Sequence, residues 1–225
     1  LSYCACVLLI LAASVSGASG SLPSERAVQI LAAGDSAGAL SFLEGSLGND
    51  SKDYAAFLLR GRLHLAVGRL DESERDFRMV TYSESDSLRA LAHLGLGDIR
   101  LKLLNRRGWA VREYRRAIEA DSLCLEAYYR IAETAFELGW TSGYRAADNI
   151  LARLFRLNPN YRDALEIWWN RIYSQSEKRL REVGESLEQY LATNPGDCRI
   201  CLYAARIRQR LWEAGPALAL LDSLA

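Results

Sequence analysis

Hydrophobic residues recur every three or four positions from about residue 22 to the end of the 225-residue chain, and no stretch alternates as a β-strand would. A small residue is followed four positions later by a large apolar one at spacings of 34, 37, 37, 36 and 34 residues. The pairs are Ala39 and Leu43, Ser73 and Phe77, Ala110 and Tyr114, Ala147 and Leu151, Val183 and Leu187, and Ala217 and Leu221. This periodicity predicts an all-helical chain built from repeats.

Each small residue follows a second amphipathic segment, so the repeating unit is predicted to be a helical hairpin. Gly61, Gly97 and Ala132 place small side chains on the first helix, which lets the second helix cross it closely. Gly68 ends one of the first helices as a C-terminal glycine. The predicted hairpins cover residues 22–51, 54–87, 88–122, 125–159, 161–195 and 198–225.

The hairpins resemble the tetratricopeptide repeat family, whose units carry a Leu-Gly pair in the first helix and a small and an aromatic residue in the second. Residues 54–87 match this pattern best. There, Gly61 is the small residue of the first helix, Gly68 ends that helix, Ser73 is the small residue of the second helix, and Phe77 fills the aromatic position.

The resemblance extends over residues 22–225, with Pro159 and Pro195 at turns between repeats. It is divergent, because the second to fourth units are longer than the family's 34 residues and the helix expected over 161–173 lacks the Leu-Gly pair. The resemblance implies an α-solenoid of five to six antiparallel hairpins in a right-handed superhelix, and a non-catalytic role in binding other proteins.

In this family, partners bind the concave face of the superhelix, which the first helices of the hairpins line. The family's register implies a set of candidate partner-binding residues in this chain. They are Leu58, Arg62, Leu65, Asp98, Lys102, Tyr129, Glu133, Phe136, Trp169, Tyr173, Arg206 and Arg210. The mixture of aromatic and charged residues suits a partner anchored by one or two bulky side chains. The alternative is that these positions are ordinary solvated helix surface.

Two observations exclude certain classes of partner. The family's lysine, asparagine and arginine clamp for a chaperone's terminal carboxylate is absent, because its positions carry Leu58, Arg62, Leu91 and Leu94. The 28 basic and 28 acidic residues cancel, so no charge excess attracts nucleic acid or an anionic membrane surface. We therefore expect a protein or peptide partner other than a cytosolic chaperone tail.

Residues that could carry catalytic chemistry are few in this sequence. The two histidines, His64 and His93, are far apart and do not combine with the five cysteines into a set of zinc ligands. The sequence has no glycine-rich phosphate loop, Ser-His-Asp set or pair of catalytic carboxylates. We therefore expect no enzymatic activity, metal or cofactor.

Cys198 and Cys201 form a C-x-x-C pair at the start of a predicted helix. In an oxidising compartment, the pair is expected to be either a local disulfide or two packing thiols. A redox pair activated by the helix N-terminus is a further alternative, although the surrounding pattern is not that of thioredoxin. Zinc is not expected, because Cys124 lies two repeats away.

The beginning of the chain has the profile of a signal peptide. An apolar run over residues 6–15 is followed by small residues up to Gly20 and is shorter than the roughly 20 residues of a membrane span. Cys4 and Cys6 precede this run, whereas the cysteine of a lipoprotein follows it. Residues 1–20 are therefore predicted to be a signal peptide, and a resemblance to envelope repeat proteins favours a bacterial periplasm or cell envelope.

These observations predict an exported, non-catalytic scaffold that binds a peptide or partner helix. One alternative is that the repeats are the docking or regulatory arm of a longer enzyme, such as a peptidase, with its catalytic domain beyond residue 225. A second alternative is a structural role, in which the last hairpin packs edge to edge with another copy of the chain.

Overall fold

The computed structural model describes five stretches of the chain, residues 22–48, 51–103, 106–137, 144–170 and 176–222. These residues form twelve α-helices and no β-strand, so the predicted all-helical class is confirmed. The helices are α1 (Pro23–Ala32), α2 (Ser36–Ser46), α3 (Tyr54–Ala66), α4 (Leu70–Val80), α5 (Asp86–Lys102), α6 (Arg107–Ala120), α7 (Leu125–Glu137), α8 (Tyr144–Leu157), α9 (Ala164–Trp169), α10 (Glu177–Thr193), α11 (Cys198–Arg210) and α12 (Ala214–Asp222). The described residues do not include the predicted signal peptide over residues 1–20 or Tyr173. The side chains of Phe136 and Ala147 also lie outside the described part of the chain.

The chain divides into two compact units after Ser122. In the first unit, α1 packs on α2, α3 on α4, and α5 on α6. The first helices of successive hairpins also pack on each other, α1 on α3 and α3 on α5, while α2 contacts α3 and α4 contacts α5. This nearest-neighbour packing is that of a helical-repeat protein, in which each hairpin covers the apolar face of the next.

Close helix crossings in the first unit occur at residues without bulky side chains. The Ser73 hydroxyl donates a 2.7 Å hydrogen bond to the Gly61 carbonyl oxygen, and the Phe77 ring lies beside the same glycine. A Cβ atom on Gly95 would lie 2.4 Å from the Phe77 ring, which is fully buried. The Phe77 ring therefore fits between α3 and α5 because both helices present glycine to it.

The second unit departs from regular hairpins in its middle. Helix α7 packs on α8 and α11 on α12, whereas α10 packs on α8 and α11. Helix α9 begins at Ala164, later than the helix expected over 161–173, because the residues after the buried Pro159 form turns in which Arg162 has a φ of +49°. The six-residue α9 packs on α8.

His64 is a buried histidine on α3, with 4% of its surface exposed. Its Nδ1 atom has no hydrogen-bond partner among the described residues, and its Nε2 atom lies 3.8 Å from Oδ2 of Asp76 and 4.0 Å from Oε1 of Glu44. Burial lowers the pKa of His64 below 6.5, and this effect outweighs that of the two carboxylates, which raise it. His64 is therefore neutral at pH 7.

We expect the free energy of unfolding to fall as the pH drops from 6.5 toward 5. The unfolded chain binds a proton on His64 near pH 6.5, whereas the folded chain binds it only at lower pH, so acid favours the unfolded state. Urea titrations at about pH 7.5 and about pH 5.5 measure the change, which His64→Gln should reduce. An equal pH dependence in His64→Gln and the parent protein would contradict this assignment.

Candidate functional site

An open groove of about 750 Å³ lies in the second unit, beside the end of α9, the start of α10 and the end of α11. It combines aromatic, cationic and apolar side chains along one surface. Its lining residues are Trp169, Glu177, Leu180, Arg206, Gln209, Arg210, Leu211 and Trp212. We call this feature the Trp169–Trp212 groove.

Trp169 contributes an aromatic surface to the groove. Its ring contacts the Tyr203 ring edge to face, with centroids 5.3 Å apart, and Cζ of Arg206 lies 5.8 Å from the centre of the indole. Tyr203 and Arg206 are three residues apart on α11, a spacing that puts both side chains on one face of the helix. The guanidinium and the indole attract each other, which holds a positive charge beside an apolar surface.

The turn after α11 forms another edge of the groove. The Trp212 N–H donates to the Gln209 carbonyl at 3.0 Å and the Glu213 N–H to the Arg208 carbonyl at 2.9 Å. These two bonds define a Schellman motif, which places the residue after the helix cap in the left-handed region. That residue is Trp212, and its φ is +61°.

Glycine occupies this position in two equivalent turns of the first unit. Gly34 after α1 has a φ of +86° and Gly68 after α3 has a φ of +82°. A side chain in this conformation costs about 1–2 kcal/mol, because its Cβ lies too close to the backbone. Trp212 is 94% exposed, so packing within the described residues does not offset this cost. An exposed, strained aromatic residue is a candidate functional position.

A network of ion pairs fixes the residue that follows the strained position. Glu213 accepts a 2.7 Å hydrogen bond from Arg208 and a further one from Arg181. These bonds, with Arg208 contributing most, lower the pKa of Glu213. Arg208 also binds both carboxylate oxygens of Glu188 at 2.6 Å, which raises the pKa of Arg208. Glu213 therefore connects the turn to α10 through Arg181 and to α11 through Arg208.

Three of the candidate partner-binding residues come together in the groove: Trp169, Arg206 and Arg210. Trp169 is half-buried, and both arginines are exposed. Trp212 is a groove residue that the helical register does not include, because it lies beyond the end of the helix.

Tyr129 and Glu133 belong to a polar cluster that joins α7 to the turn before α9. The Tyr129 hydroxyl donates to Oδ1 of Asp163 at 2.8 Å and lies 3.2 Å from Oε1 of Glu133, and Cζ of Arg162 lies 5.0 Å from the centre of the Tyr129 ring. Burial, followed by the hydrogen bond to Asp163, raises the pKa of Tyr129. The buried tyrosine therefore stays protonated and connects two parts of the second unit.

The remaining candidates lie in the first unit. Lys102 is exposed, and its Nζ atom donates to the Leu65 carbonyl at 3.0 Å, where a cation is favourable because the C-terminal end of a helix carries partial negative charge. Arg62 and Asp98 are half-buried on α3 and α5. The prediction for Leu58 is wrong, because this side chain is fully buried in the core between these helices and α4.

The cysteines among the described residues are thiols and form no disulfide. Cys198 is exposed at the first residue of α11, and Cys201 is buried one turn later with its Sγ atom 2.9 Å from the Leu220 carbonyl oxygen. The structure has no bond between Cys198 and Cys201, a disulfide being one of the two alternatives given above, and of these two cysteines only Cys201 packs in the interior. Among the described residues, no group of three or more His, Cys, Asp or Glu side chains is placed to hold a metal ion.

Paired helices that pack in sequence define the class of helical-repeat proteins. No family model matches the chain, and no curated protein matches it either. Similar solved structures include PilW, described as a widely conserved type IV pilus biogenesis factor, at 19% identity over 90% of this chain and 90% of that chain, with a TM-score of 0.54. TTC0263, a tetratricopeptide protein of Thermus thermophilus, is 18% identical over 82% and 96%, with a TM-score of 0.52.

MamA is a third similar structure, at 15% identity over 87% of this chain and 94% of that chain, with a TM-score of 0.51. These similarities establish the fold. The chain has the tetratricopeptide-type fold that its sequence predicts, in a divergent form.

Proposed function

We propose that this protein is a non-catalytic scaffold that binds a peptide or a partner helix in the Trp169–Trp212 groove. The observation that carries the proposal is the grouping of two tryptophans with Arg206 and Arg210 along one open surface. Tryptophan and arginine are the residue types that contribute most to binding energy at protein interfaces. The fold adds a physical reason, because α10 and α11, which line the groove, pack on each other and so reduce the entropy lost on binding.

We further propose that the scaffold acts outside the cytoplasm, in a bacterial cell envelope. The apolar run over residues 6–15 supports export, and the similar fold of PilW, a pilus biogenesis factor, is consistent with an envelope role. No helix among the described residues has the length and apolar character needed to cross a membrane. Fusing residues 1–22 to a reporter that is active only outside the cytoplasm tests the location; an inactive reporter would contradict it.

Selection from a displayed library of random peptides tests the binding function. We expect the full chain to enrich peptides that lose binding when Arg206 and Arg210 are both replaced by alanine, because these exposed side chains line the groove. A matched control replaces Arg112 and Arg115, two exposed arginines on α6, and should retain binding. The readout is fluorescence anisotropy of the enriched peptides with all three proteins.

Two results would contradict the proposal. Failure to enrich any peptide would argue against a peptide-binding scaffold. Enriched peptides that bind the parent protein and both double variants equally would place the binding surface outside the groove.

A further inference from the structure

We infer that the partner segment is acidic and carries a bulky apolar side chain, and that this side chain docks on Trp212. The inference rests on the proposed function and goes further, because it assigns the chemistry of the partner and the residue that anchors it. It combines two independent features of the groove, the strained exposed indole and the charge of the neighbouring arginines.

Trp212 calls for an apolar group on the partner. The left-handed position after α11 accommodates glycine without strain, as Gly34 and Gly68 do in the first unit, yet it carries the largest side chain with 94% of its surface exposed. An indole in this position gains little packing energy on folding. It would gain that energy when a partner covers it, because burial of a large aromatic surface is a main source of affinity.

The turn fixes the backbone that carries the indole before any partner arrives. Its two Schellman hydrogen bonds fix the backbone on both sides of Trp212, and Glu213 is held by Arg208 and Arg181. A side chain on a fixed backbone loses less conformational entropy on binding than one on a mobile loop. Trp212 is therefore placed as a preorganised anchor.

The charged side chains of the groove favour an acidic partner. Within the described part of the chain, Arg206 stacks on Trp169 and forms no ion pair, and Arg210 is a second guanidinium one turn further along α11. The groove's carboxylate, Glu177, is already bound by Arg181 at 2.9 Å. A carboxylate of the partner would therefore meet the positive charge of Arg206 beside Trp169, whereas a lysine-rich segment would be repelled by it.

A panel of synthetic peptides tests the inference. Three fluorescein-labelled peptides of about 12 residues share one length: a Glu-rich peptide with a central Leu-Phe pair, a Glu-rich peptide with Ala-Ala in its place, and a Lys-rich peptide with Leu-Phe. We expect the full chain to bind the first at least about tenfold more tightly than either of the others. The affinity should weaken with added salt, because the charge attraction is screened.

Variants separate the two parts of the inference. Trp212→Gly and Trp212→Asn should each weaken binding of the acidic Leu-Phe peptide at least about tenfold, since both residues tolerate the left-handed backbone and neither offers an aromatic surface. Trp212→Gly should also raise the thermal midpoint by roughly 2–4 °C, which excludes unfolding as the cause of lost binding. Arg206→Glu should shift the preference toward the Lys-rich peptide. Trp109→Ala, which removes a 56% exposed tryptophan in the first unit, is the matched control and should bind normally.

Unchanged binding in both Trp212 variants, or tighter binding of the Lys-rich peptide by the parent protein, would overturn the inference. Either result is distinguishable from failure of the proposed function, because the library selection would still yield groove-dependent peptides. Selected peptides that lack acidic residues would likewise refute the inferred partner and leave the scaffold function in place.

Discussion

Replacing Arg60 with alanine is expected to lower the free energy of unfolding by about 3–5 kcal/mol. Arg60 on α3 binds Asp76 on α4 through two hydrogen bonds, from Nη2 to Oδ1 at 2.6 Å and from Nε to Oδ2 at 3.0 Å. The Asp76 side chain is 5% exposed. Removal of the guanidinium would leave a buried carboxylate without its strongest partner, and the desolvation cost of that charge is then uncompensated.

Urea unfolding of the single and double variants measures this effect. The double variant Arg60→Ala with Asp76→Ala should be more stable than Arg60→Ala alone, because it removes the stranded charge. Arg69→Ala breaks the neighbouring Arg69–Glu44 pair, whose side chains are 53% and 42% exposed, and should cost at most about 1 kcal/mol.

His64 supplies a second check on the same prediction. The Arg60 charge helps to keep the pKa of His64 low, and Nε2 of His64 lies 3.8 Å from Oδ2 of Asp76. In Arg60→Ala, the imidazole should therefore protonate more readily and partly replace the lost cation. The destabilisation should be smaller at about pH 5.5 than at about pH 7.5. Equal losses from Arg60→Ala and Arg69→Ala would contradict the buried-pair interpretation.

The hairpin architecture could be predicted because it depends on short-range sequence features. Small residues four positions before large ones recur along the chain, and this spacing is sufficient to indicate paired helices. The structure adds Gly95, which contacts Phe77 of the preceding hairpin. The helical pattern alone does not identify this contact, because Gly95 and Gly97 both fit a small-residue position and only the three-dimensional packing assigns each to its aromatic ring.

The groove was predictable only in part. The helical register brings Trp169, Arg206 and Arg210 to one surface, and the structure places all three in the groove. The spacing of the turns, and not the helical register, identifies Trp212. It lies five residues before Ala217, just as Gly68 lies five residues before Ser73. Alignment of the turns, and not of the helices, would have identified a tryptophan at a glycine position.

Tyr129 illustrates why helical register is insufficient in the second unit. The register places it on the face that the resemblance assigns to partners, but residues 161–163 cover it and bind its hydroxyl. The turns after Pro159, in which Arg162 adopts a positive φ, place this segment against Tyr129. Such a conformation depends on contacts between distant residues, so periodicity within one helix does not predict it.

Replacing Gly97 with alanine is expected to lower the free energy of unfolding by about 1–3 kcal/mol, although alanine is the better helix former. The new Cβ atom would lie 2.3 Å from Cε1 of Tyr114, which is fully buried. The ring is also held at its far end, because its hydroxyl donates to Oδ1 of Asp98 at 2.7 Å. Helices α5 and α6 would have to separate, or the ring would have to leave its hydrogen bond.

Two comparisons distinguish this steric effect from a change in helix propensity. Gly45→Ala on α2 introduces a Cβ with no atom within 4 Å, so it should leave stability unchanged or raise it by up to about 1 kcal/mol. Tyr114→Leu should lower stability by itself, yet Gly97→Ala added to it should cost less than in the parent protein, because the smaller side chain leaves room for the methyl group. If the cost of Gly97→Ala were the same in both backgrounds, the close approach of α5 to Tyr114 would not be the reason for the glycine.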